Sequence, residues 1–108
     1  MENKTPLKWY HYLATLGAGF FLTNVLPHMV NGVSGREFPS PFGEPSGVGL
    51  SSPLTNVIWA LINLIIGYVL LRVGKVKFNN TTSMIIVFVG IIICALMCAS
   101  NFGENPNL

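Results

Sequence analysis

Few side chains in this sequence can do chemistry, and their positions limit what that chemistry is. His11, His28, Cys94 and Cys98 are the candidate bases, nucleophiles or metal ligands, with Glu37 and Glu44 the acids that follow His28 along the chain. The two histidines are seventeen positions apart in one apolar run, which on a helix is roughly 25 Å, so they cannot share a metal or a haem within one chain. Cys94 and Cys98 lie one helical turn apart, a spacing that rarely reaches disulfide geometry, and two thiols with no His or Asp close by in sequence do not complete a zinc site. They are expected to be small packing residues, and no metal or cofactor is expected. A catalytic reading would use His28 as general base, with Glu37 or Glu44 orienting it or holding a metal, but no spacing fixes that geometry. The sequence contains no His-Glu-x-x-His, no Gly-x-Ser-x-Gly and no phosphate-binding glycine loop.

The elements that must position these residues follow from composition. Of 108 residues, 51% are hydrophobic and only 9% are charged, and the charges fall between three long apolar runs. A soluble domain of this length needs more charge to cover its surface. The runs cover about residues 9–30, 54–71 and 83–100, each close to the ~20 residues that cross a ~30 Å hydrocarbon core as a helix. Isolated strands in lipid would leave their edges unpaired, whereas a helix satisfies its backbone internally. The expected fold is therefore a single all-α membrane domain of three transmembrane helices. Ser52 followed by Pro53 reads as an N-cap and first helical residue, and Asn80 or Thr81 can cap the third helix. Trp9, Tyr10 and Tyr12 read as an interfacial aromatic girdle, with His11 beside them and Lys8 extending toward headgroups. A cleaved signal peptide over residues 1–30 is the competing reading. No small-x-small motif follows the apolar core, and Asn24 and His28 interrupt it, so an uncleaved helix is expected.

Cation placement sets an orientation. Lys4 and Lys8 flank the first run, and Arg72, Lys75 and Lys77 fill the 72–82 link, while Arg36 is the one cation in the 31–53 loop, where Glu37 and Glu44 accompany it, with Glu104 in the C-terminal segment. By the positive-inside rule the N-terminus and the link are cytoplasmic, and the 31–53 loop and C-terminus lie outside. The Asn-x-Thr sequons at Asn79 and Asn80 would then face the cytoplasm and serve as capping residues. The net charge of +2 comes from scattered residues, which argues against nucleic-acid binding. The 31–53 loop is dense in Gly and Pro yet carries Phe38, Phe42, Val48 and Leu50, so an ordered cap on the helix ends is expected rather than a flexible linker.

Small and polar residues form a stripe on each helix: Gly17, Asn24, His28 and Asn31; Asn56, Ala60, Asn63 and Gly67; and, more weakly, Ser83, Gly90, Cys94 and Asn101. Such stripes let helices approach and hydrogen-bond in lipid, which is one sufficient use for them. The other use is a site. Asn24, His28, Asn56 and Asn101 fall in the outer half of the membrane and Asn63 near its middle, a placement that suggests a ligand pocket roofed by the loop, with Arg36, Glu37 and Glu44 above His28. The candidate ligand-binding set is thus Asn24, His28, Asn56, Asn63, Arg36 and Glu37.

The block Pro27-His28, Gly32-x-x-Gly35-Arg36, Pro39-Ser-Pro-Phe-Gly-Glu-Pro45, Gly49-Leu-Ser-Ser-Pro53, Asn56 and Trp59 resembles a pattern in small, uncharacterised bacterial membrane proteins over about residues 24–67. The resemblance implies a bacterial cytoplasmic-membrane setting and brings no activity with it. The small multidrug exporters are not matched, since they have four helices and a glutamate within the first. The expected function is a non-enzymatic accessory or ligand-binding module, self-associating or joined to a larger membrane complex. An oligomeric transporter or channel is the alternative, and it is disfavoured because the inner halves carry little beyond Tyr10, His11, Tyr12, Thr15 and Tyr68 to line a path.

Overall fold

A computed structural model of the chain describes residues 6–108. Lys4, one of the orienting cations, lies outside the described residues. The chain runs α1 (Trp9–Val33), β1 (Phe38–Pro39), β2 (Leu50–Ser51), α2 (Pro53–Val73) and α3 (Thr81–Gly103). All three helices are long and apolar enough to cross a membrane. Their 25, 21 and 23 residues span about 37, 31 and 34 Å at 1.5 Å per residue, in a body 51 × 23 × 20 Å.

All three helices overrun the expected bounds, α3 by the most, and at the end of α1 polar side chains add to the backbone ladder. In α1, Asn31 Nδ2 donates to the Pro27 carbonyl at 2.7 Å and Ser34 Oγ to the Val30 carbonyl at 2.7 Å, so the helix continues to Val33. The connection to α2 is accordingly 34–52 and the link to α3 is 74–80. The caps fall where the sequence puts them. Ser52 Oγ accepts from Thr55 N at 3.1 Å with Pro53 at the first helical position, and Asn80 Oδ1 accepts from Ser83 N at 3.1 Å. His11 has a capping part as well, since its Nδ1 accepts the Lys8 backbone N–H at 2.8 Å.

Two helices flank α1 and scarcely touch each other. α2 runs antiparallel to α1, with Gly17 close to Leu70, Gly67 against Leu22, and Gly32 against Pro53 and Val57. α3 runs parallel to it, and the contact is backbone on backbone: a Cβ on Gly19 would strike the Val87 carbonyl, and one on Gly90 the Leu16 carbonyl. Small residues permit this spacing, which increases dispersion between the helices.

At the foot of α2 a glycine is used for packing rather than for turning. A Cβ on Gly74 would meet Thr15 Oγ1 and the His11 carbonyl, so Gly74 stays right-handed and seats α2 on α1. The left-handed position that ends the helix falls instead on Lys75, at φ 53°.

The 34–52 connection folds back on the helix ends as a hairpin. β1 and β2 pair antiparallel, Phe38 opposite Ser51 and Pro39 opposite Leu50, and Ser40 Oγ and Ser51 Oγ are 2.6 Å apart inside it. Between the strands Gly47 N donates to the Ser40 carbonyl at 2.9 Å and Gly49 N to the Pro45 carbonyl at 2.8 Å, around a cis Glu44–Pro45 peptide. Of the apolar side chains in this segment Phe38 is buried, whereas Phe42, Val48 and Leu50 are exposed, Phe42 the most at 61%.

Candidate functional site

The polar stripes of α1 and α2 meet as paired side chains. Asn24 Nδ2 donates to Asn63 Oδ1 at 3.1 Å, and Asn63 Nδ2 donates to the Trp59 carbonyl at 2.8 Å. One turn higher, His28 Nδ1 lies 2.7 Å from Asn56 Oδ1. Asn56 is fully buried, and its Nδ2 faces the carbonyls of Phe38, Ser51 and Ser52 at 2.9, 3.2 and 3.1 Å. A single amide therefore ties α1, α2 and both strands of the hairpin together. Its burial is tolerable because both ends of the amide are hydrogen-bonded.

Rings enclose His28 on the remaining sides. Phe38, Trp59 and Phe102 stand nearly perpendicular to the imidazole at 5.5, 6.5 and 6.2 Å, and Phe38 and Phe102 contact each other at 4.6 Å. Phe42, out on the hairpin, packs edge-on against Trp59 at 5.5 Å.

A cavity of about 480 Å³ opens beside this cluster. Its floor and walls are Phe20, Asn24, His28, Trp59, Cys94, Met97, Cys98, Asn101 and Phe102, and its roof comes from the hairpin, Pro39–Pro41 and Ser46–Val48, together with Glu104–Pro106 after α3. The roof is latched at one atom: Asn105 Nδ2 and Asn107 Nδ2 both donate to the Val48 carbonyl at 3.0 Å. Cys94 and Cys98 are free thiols 3.9 Å apart, and Cys98 Sγ faces Asn24 Oδ1 at 3.8 Å.

The structure brings Asn24, His28, Asn56 and Asn63 into one column along the α1–α2 contact, with Asn24 and His28 on the cavity wall. Arg36 and Glu37 are not brought to it. Both are exposed, and Arg36 turns back to its own helix end, its Nε donating to Asn31 Oδ1 at 3.1 Å. Glu44 is exposed on the hairpin as well. The turn at 34–36, tied by Arg36 N to the Asn31 carbonyl at 2.9 Å, aims this part of the chain off the α1 end before the hairpin returns. His11 caps the opposite end of α1, so the histidines stay apart.

Sequence reasoning missed Trp59, Phe102 and the Asn105–Asn107 latch. Trp59 carried a signal, an indole among small and polar residues of the α2 stripe, but Phe102 and Asn105 follow the third apolar run and have no periodic partner. The arrangement holds a hydrogen-bonding imidazole against aromatic walls in a roofed space, and no group of three or more His, Cys, Asp or Glu able to hold a metal occurs among the described residues. No protein-family model, curated protein or solved structure matches the chain.

Proposed function

We propose that the chain is a non-enzymatic, multi-pass protein of the bacterial cytoplasmic membrane that binds a small molecule in the cavity beside His28, at its outer face. The observation that carries the reading is the roofed cavity of about 480 Å³, within the size of small-molecule sites and lined mainly by apolar groups with a few convergent polar ones. Orientation rests on charge. Lys8, Arg72, Lys75 and Lys77 belong to the end of the bundle away from the cavity, and the positive-inside rule supports a cytoplasmic location for that end and an outer one for the cavity.

A blind site is favoured over a conducting path. Below Asn24 the buried positions of α1 are Ala14, Thr15, Ala18 and Gly19, which offer little polar lining, and α1 and α3 meet backbone to backbone at Gly19 and Gly90. Much of the helix surface faces outward, so association with a second copy or a larger membrane complex fits the same picture.

Native mass spectrometry of the wild-type protein and of His28→Ala and Asn63→Leu, released from nanodiscs of native lipid, tests the function. The expected result is a retained small molecule in the wild type that both variants lose while still inserting in the membrane. Retention of the same species by all three would remove the site. Reporter tags on the two ends test the orientation, and signals from the same side would overturn it.

A further inference from the structure

The surroundings of His28 narrow what the cavity can hold. Asn56 Nδ2 is committed to the carbonyls of Phe38, Ser51 and Ser52. Turning the amide over would set Oδ1 against three carbonyl oxygens, so Oδ1 is the atom that faces His28 Nδ1 at 2.7 Å. An amide oxygen only accepts, hence Nδ1 donates and carries the ring proton. In the neutral imidazole Nε2 is then a bare acceptor. It makes no hydrogen bond among the described residues, although the side chain is 3% exposed and borders the cavity. Among the described residues the buried side-chain polar atoms without a partner are Trp59 Nε1 and Ser83 Oγ, so the unpaired Nε2 of His28 keeps access to open space and can take a donor from the cavity its residue lines.

The walls say what kind of body should carry that donor. Phe20, Trp59 and Phe102 present ring surfaces, two of them already edge-on to the imidazole. Neither Lys nor Arg lines the cavity, and its one carboxylate, Glu104, is exposed. An anion would lie there with no cation beside it, and an ammonium would lose its water with no buried countercharge. A neutral ring suits the walls, since offset and edge-to-face contacts add to simple burial.

We propose that the cavity takes a neutral aromatic alcohol, a phenol, naphthol or quinol-type ring, whose hydroxyl donates to His28 Nε2 while the ring lies among Phe20, Trp59 and Phe102. This rests on the reading of the cavity as a binding site. Asn56 is the positioning residue: by holding the proton on Nδ1 it keeps Nε2 available.

The test uses the full chain in lipid nanodiscs, with ¹⁵N-labelled histidine and His11→Gln, so that one imidazole remains and a side-chain acceptor is kept at position 11. The free protein should show the Nδ1–H tautomer with Nε2 unprotonated. 2-Naphthol should move the Nε2 resonance upfield to saturation, and 2-methoxynaphthalene, which keeps the ring and lacks the donor, should not. By equilibrium dialysis against protein-free nanodiscs, naphthol should bind about tenfold more tightly than the ether, the worth of one hydrogen bond. That difference should vanish in His28→Phe. An Nε2–H tautomer in the free protein, or equal affinities with no Nε2 shift, overturns the proposal and leaves the cavity as a site for some other ligand. Failure of both compounds to bind saturably overturns the proposal; the binding-site reading falls separately, if the wild-type protein and both variants retain the same species in native mass spectrometry.

Discussion

α1 is held by its two neighbours in different ways. Against α2 it uses short side-chain hydrogen bonds, Asn24 to Asn63 and His28 to Asn56, with glycines beyond them. Against α3 the close contact is backbone, Gly19 on Gly90, with a long thiol contact from Cys98 to Asn24 and the Phe102 ring against His28 above it. The difference follows from what each contact must do. The α1–α2 pair carries the hairpin and one wall of the cavity, so it needs directional bonds that fix rotation about the helix axis. The α1–α3 pair supplies the other wall of the cavity, and dispersion between closely spaced backbones at Gly19 and Gly90 accounts for most of its hold.

The sharpest way to break this contrast is at the crossing. Gly90→Leu forces a side chain into the Leu16 carbonyl and the α1 backbone, and should cost about 3 kcal/mol, read as a loss of stability in detergent titrations. Asn56→Leu keeps the volume but leaves His28 Nδ1 and the hairpin carbonyls without their partner, and should cost about 2 kcal/mol. Hydrogen exchange at residues 38–51 should rise in that variant while the α1–α3 contact stays protected. In the opposite direction, Lys75→Gly relieves the left-handed backbone at φ 53° and should stabilise by about 1 kcal/mol in the same titration. The smallest effect belongs to the Asn24–Asn63 pair, for which a double-mutant cycle to alanine should return a coupling of about 0.6 kcal/mol. A coupling above that of the Gly19–Gly90 pair would reverse the assignment of roles.

How much of this was legible depends on the number of neighbours each helix has. The α2 stripe Asn56, Ala60, Asn63 and Gly67 is fully buried as its spacing requires, because α2 packs mainly on α1 and one stripe describes it. Ser83, Gly90 and Cys94 of α3 are buried for the same reason, while Asn101 is exposed on the cavity wall. The central helix resists this reading. It buries Ala14, Thr15, Ala18, Gly19, His28 and Gly32 toward two partners, and two overlapping stripes of small residues have no single period. Asn24 and His28 stand out in the sequence because they are polar residues in an apolar run, and the structure places both on the cavity wall. Arg36 and Glu37 are close to His28 in sequence, but Gly35, at φ 75°, turns the chain away and both side chains are exposed.

The flanking of α1 by partners that scarcely meet has a consequence for assembly. The information for docking α3 resides in α1 and the hairpin, and none of it requires the short link through Lys75–Asn80 to be covalent. Severed at Lys77 and co-expressed, the two pieces should find each other in the bilayer and rebuild the roof. A version lacking α1 should leave α2 and α3 as strangers in the same membrane.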